Sequence, residues 1–66
     1  MYQFEIQMAT KGKVFESNDT NEAFGKYREL FRDTQGNHKG TTFERITMID
    51  NVNKLTVAHA TFPITH

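Results

Sequence analysis

One stretch, from Asp19 to Asp33, repeats its apolar residues with the period of a helix, and it stands between segments that alternate with the period of a strand. That interruption restricts the chain to mixed folds in which one helix lies against a sheet. At about 100° per residue, Ala23, Phe24, Tyr27, Leu30 and Phe31 gather in an arc of roughly 120°, the width of a helix resting on a core. Lys26, Arg28, Glu29, Arg32 and Asp33 take the other side. Asp19 and Glu22 have the spacing of a capping box, in which Asp19 accepts the Glu22 amide and the Glu22 side chain reaches back. Gly36 stands just past the last periodic residue, where a left-handed C-terminal cap favours glycine.

Ahead of the helix, Tyr2, Phe4, Ile6 and Met8 alternate with Gln3, Glu5, Gln7 and Ala9, giving a strand with one buried and one wet face. Lys11 and Gly12 form the tip of a tight hairpin, and Lys13 to Ser17 returns as a second strand. Asn37 to Gly40 is polar and loop-like. Thr41 to Asp50 and Lys54 to Phe62, rich in Thr, Ile, Val and Phe, flank Asn51-Val52-Asn53 as a second hairpin. The expected fold is α+β, ββαββ, a four-stranded sheet with one helix packed on one face, in a single domain over residues 1–66.

This order is similar to that of the β-grasp immunoglobulin-binding domains of streptococcal surface proteins. Lys11-Gly12-Lys13, Thr20-Asn21-Glu22-Ala23 and Lys54-Leu55-Thr56-Val57 lie in comparable places. The resemblance is architectural and transfers no binding residue. It implies that the first and last strands pair in parallel at the centre of the sheet; an antiparallel meander is the other arrangement the pattern allows.

At 66 residues without cysteine, the chain is near the lower size limit for folding alone, and neither a disulfide nor a thiolate metal site can assist it. Oligomerisation is the common remedy, so a homodimer is expected. Eight Lys and Arg balance eight Asp and Glu, so no global field steers the chain toward phosphate backbones or acidic membranes. No apolar run approaches the ~20 residues of a membrane span, and Met1-Tyr2-Gln3-Phe4-Glu5 lacks the form of a signal peptide, which implies the cytoplasm.

The residues that could carry chemistry do not cluster in sequence. His38, His59 and His66 fall in a loop, a strand and the terminal tail without the spacing that delivers several ligands to one metal ion. Ser17 and the threonines have no adjacent base, and at least some of Glu5, Glu16, Glu22, Glu29 and Glu44 occupy solvated strand or helix positions with no second residue to alter a carboxyl, so no enzyme activity and no cofactor are expected.

Two features point instead to contact with another macromolecule. Gly25 sits among Arg28, Glu29 and Arg32 on the outer helix face, although glycine in an exposed helix costs about 1 kcal/mol relative to alanine. A missing side chain admits another backbone, and two arginines one turn apart can grip carboxylates; the plain alternative is a tolerated glycine on a solvated charged face. In the last hairpin, Ile46 and Met48 have one parity and Phe43 and Ile49 the other, while Leu55 and Val57 oppose Ala58, Ala60 and Phe62. Either a β-bulge shifts the phase, or the sheet is covered on both faces, with a second subunit or a target protein on one of them.

The expected function is therefore that of a small non-enzymatic protein-binding module, with Gly25, Arg28, Arg32, Phe43, Ile49, Ala58, Ala60 and Phe62 as partner-binding residues. Short cysteine-free proteins of this build are frequent among phage and mobile-element accessory genes that inhibit or redirect a host protein, which supplies a context by association. The alternative is a nucleic-acid binder using Lys11, Lys13, Arg28, Arg32, Lys39 and Arg45 on phosphates, with exposed Phe or Tyr stacking on bases.

Overall fold

The computed structural model describes residues 2–36 and 43–63. In chain order these form β1 (Phe4–Met8), β2 (Gly12–Ser17), α1 (Thr20–Gly36), β3 (Phe43–Asp50) and β4 (Leu55–Pro63). The strands make one four-stranded sheet in the order β2-β1-β3-β4, and every neighbouring pair is antiparallel. The parallel pairing of first and last strands implied by the β-grasp resemblance is thus not formed. Size explains the outcome. The central place beneath a helix must be filled by bulky apolar side chains, and β3 supplies Ile46 and Met48, both fully buried. β4 offers Ala58 and Ala60 to the same layer, and it takes the edge.

The core lies between α1 and one sheet face. Phe4, Ile6 and Met8 of β1 stand beside Ile46 and Met48 of β3, with Ala23 of α1 pressed onto them. Phe24, Tyr27 and Leu30 pack against this cluster, as the helical arc predicts. Phe31 lies at its margin, 36 % exposed, where its ring meets that of Phe62 edge-on with centroids 5.0 Å apart. Lys26, expected on the far side, instead flanks the core: its Nζ lies 6.0 Å from the Phe15 ring centroid and 3.7 Å from Glu29.

The helix starts as expected but by a different device. Asp19 Oδ1 accepts the amide of Asn21 at 2.9 Å, and the Asp19 carbonyl accepts that of Ala23, the first helical bond. The Asp19 amide donates to Ser17 Oγ at 3.0 Å, so Ser17 rather than Glu22 takes the reciprocal position. Ser17 is buried at the end of β2, and the strand delivers its hydroxyl there with little freedom left to lose. The helix also runs through Gly36 instead of ending before it.

Both hairpins contain a register shift. In the first it falls between Ile6 and Gln7, leaving Val14 as the extra residue of β2; in the second it falls between Met48 and Ile49, leaving Val57 as the extra residue of β4. The second bulge resolves the conflict of parities in β4, whereas β3 alternates without a break and leaves Ile49 on the face opposite Ile46 and Met48. Beyond the bulge, Ala58, Ala60 and Phe62 share the helix-facing side with Met48, Ile46 and Glu44, while Ile49 pairs with Thr56 and Glu5 on the opposite face.

Candidate interaction surface

The direction of the backbone groups on β4 follows from the centre of the sheet. The Ala9 amide donates to the Arg45 carbonyl at 2.9 Å, and the Asn51 amide to the Gln3 carbonyl at 2.7 Å, each continuing the β1–β3 register by one residue. In an antiparallel ladder, residues that exchange hydrogen bonds with one neighbour alternate with residues that turn to the other. Odd-numbered residues of β3 therefore bond to β1, and Glu44, Ile46 and Met48 bond to Phe62, Ala60 and Ala58. The N–H and C=O groups of His59 and Thr61 consequently point away from the sheet, and among the described residues no strand pairs on that side.

The two edges of the sheet differ in chemistry. β2 carries Gly12, with φ of 77°, together with Lys13 and Glu16, which pair with each other at 3.4 Å, and its bulge. Charges and bulges of this sort discourage another strand from adding. β4 carries no Asp, Glu, Lys or Arg from Leu55 to Pro63. Its helix-facing residues are also incompletely covered, since Ala58, Ala60 and Phe62 are half-buried where their counterparts on β1 and β3 are closed off. With Phe31 above Phe62, an apolar layer continues to the rim of the sheet and stops there.

The remaining expected contact residues do not join this layer as one patch. Ile49 is half-buried on the opposite face, among Glu5, Gln7, Thr47 and Thr56. The backbone of Phe43 pairs with Pro63 at the far end of β3. Arg28 and Arg32 are exposed on the outer side of α1. Gly25 is half-buried, and a Cβ built on it meets nothing within 4 Å among the described residues, so none of these requires the glycine. The phosphate-contact set also divides: Lys13 and Arg45 lie with the open sheet face, Arg28 and Arg32 with the helix on the other side, and Lys11 is in the first turn. Lys39 lies outside the described residues, as do His38 and His66.

The open face is polar. Arg45, Thr47, Thr56, His59 and Thr61 line a shallow concavity on it, with Arg45 Nε 3.4 Å from Thr61 Oγ1. Beside this, Glu5 accepts from Gln7 Nε2 at 2.5 Å and Asn51 Nδ2 at 2.8 Å, and these two bonds hold its carboxyl below the usual range. Among the described residues there is no group of three or more His, Asp or Glu able to hold a metal ion.

A second apolar feature has no signature in the alternation of the strands. Tyr2, Val52 and Leu55 are 48 %, 66 % and 50 % exposed, and the Asn51–Gln3 bond brings their segments to the same end of the sheet. Alternation places Tyr2 and Leu55 on strand faces and Val52 falls in a turn, and nothing in that alternation says where a strand stops being covered.

The chain matches no protein-family model, and comparison with curated proteins and with solved structures returns no match.

Proposed function

We propose that this protein is a non-enzymatic binding module that holds another polypeptide strand along the β4 edge of its sheet. The observation that carries this reading is the uncharged edge itself, along which His59 and Thr61 turn their backbone donors and acceptors outward. An added strand gains main-chain hydrogen bonds there and buries the half-covered layer of Ala58, Ala60, Phe62 and Phe31. In the phage or mobile-element context, the mechanism is steric: the module occupies a surface that a host protein needs for activity or assembly, in the cytoplasm. The division of the cationic residues between opposite faces weighs against the nucleic-acid alternative, which needs them on one side.

The test is capture of partners by the tagged protein from lysate of the source cells, before and after nuclease, alongside His59→Pro. Proline removes an outward N–H without removing a bond to β3. A stoichiometric protein retained after nuclease and lost with His59→Pro supports the reading. Signal that disappears with nuclease, or capture indifferent to His59→Pro, overturns it.

A further inference from the structure

Resting on the reading of β4 as a strand-binding edge, we infer that in the free protein this edge is covered by β4 of a second copy, in a two-fold dimer centred on Ala60 that a partner strand must displace. The regular part of β4 runs from Ala58 to Phe62, bounded by the bulge at Val57 and by Pro63, and Ala60 is its midpoint. Antiparallel pairing about that midpoint sets His59 against Thr61 of the other copy and Thr61 against His59. Those are the residues whose N–H and C=O groups face outward, so each pair exchanges two hydrogen bonds. At both ends the ladder stops for a chemical reason, because Pro63, which has no N–H, comes opposite the bulged Val57.

Side chains fit the same register. On the helix side, Phe62 of each copy lies across from the small Ala58 of the other, with the two Ala60 residues meeting between them. A centre on His59 would instead set Phe62 against Thr56, which the bulge has turned to the opposite face of the sheet with Ile49. Self-pairing normally risks bringing like charges together, and β4 has none to bring. The two-fold axis stands perpendicular to the sheet, so both helices cover one face of a continuous eight-stranded sheet (twice the four of one copy), and Phe31 and Phe62 close over the junction from both sides.

Sedimentation equilibrium over a concentration series should give twice the 7.7 kDa of the chain for the wild type and the single-chain mass for His59→Pro. Register is tested by cysteine trapping, which is clean because the chain has no cysteine of its own. Facing residues of a non-hydrogen-bonded pair have Cα atoms about 4.5 Å apart, within the span of a disulfide. Mild oxidation should therefore link Ala60→Cys into a covalent dimer and leave Ala58→Cys unlinked. A wild type that stays at single-chain mass, or Ala58→Cys linking as readily as Ala60→Cys, overturns the inference, and the trapping result stands even where His59→Pro fails to fold. If the wild type is a single chain while His59→Pro still abolishes capture of a different protein, the dimer falls and the strand-binding reading survives. A wild-type dimer unaffected by a folded His59→Pro overturns both.

Discussion

Glu44 grips Thr10 twice: the Thr10 amide reaches Oε1 at 3.2 Å, and the Thr10 hydroxyl donates to Oε2. This ties the first turn to the start of β3 across a sequence separation of 34. Glu44 is 5 % exposed, and Oε1 also accepts the Arg45 amide at 2.9 Å. Removing the carboxylate leaves these donors short of a partner, at about 1–3 kcal/mol for such a group. Glu44→Ala should lower stability by about 2 kcal/mol in urea denaturation, and Glu44→Gln, which keeps one acceptor, by less. Equal midpoints for wild type and Glu44→Ala would show that water satisfies those donors just as well.

Acid should weaken the fold through three carboxyls. Burial pushes the Glu44 carboxyl up, but its bonds from Thr10, Arg45 and Ala9 outweigh burial and hold it below its ordinary 4.5. The backbone and side-chain amides of Asn53, ahead of Val52 and Gln3, hold Asp50 below 3.8, and Gln7 and Asn51 hold Glu5 below 4.5. Below those ordinary values the unfolded chain binds protons that the native chain refuses, so stability rises with pH in that range. It should be level above about pH 5 and fall as the pH drops through the ordinary values and then the lower native ones. Thermal unfolding from pH 2.5 to pH 7 checks this, and Glu44→Gln should flatten the slope.

The observed cap predicts an order of effects. Asp19→Ala removes the acceptor for Asn21 and should cost about 1 kcal/mol, whereas Glu22→Ala should cost less, because Ser17 and not Glu22 satisfies the Asp19 amide. Chemical denaturation of the two variants decides it; the reverse order would restore the reciprocal box.

Gly25→Ala should stabilise the chain by about 1 kcal/mol, because the added methyl meets nothing within 4 Å among the described residues and alanine is the better helix former. In a domain of this size that raises Tm by roughly 4–8 °C. Capture of partners at β4 should be unaffected. A loss of binding in Gly25→Ala would show that another backbone approaches the helix there.

The elements were legible in the sequence because their periods differ, and Ala23, Tyr27 and Leu30 could be placed on the core from spacing alone. Strand order was not, because it depends on which covered face is bulkier, a comparison between Ile46 with Met48 and Ala58 with Ala60 that periodicity does not make. The bulge at Val57 was recognisable only as a clash of parities with two solutions. Ala60 and Phe62 were singled out for their apolarity, but the groups that define the edge are the backbones of His59 and Thr61. Their direction depends on which way Arg45 bonds in the neighbouring strand, and residue types carry no record of that.

The junction of β1 with β3, Phe4 opposite Asp50, also governs how the chain assembles. Each hairpin is a local structure, but a two-stranded hairpin alone is marginal in water. The two become a sheet only when residues far apart in sequence meet, after the helix and the connection behind it have been closed into a loop. The bonds from Asn51 to Gln3 and from Thr10 to Glu44 lie at opposite ends of that seam and form together with it. Folding should accordingly be all-or-none with the docking of the two halves as its slow step, and a chain cut between α1 and β3 should yield two fragments that acquire structure only when mixed, which circular dichroism of each fragment alone and of the mixture checks.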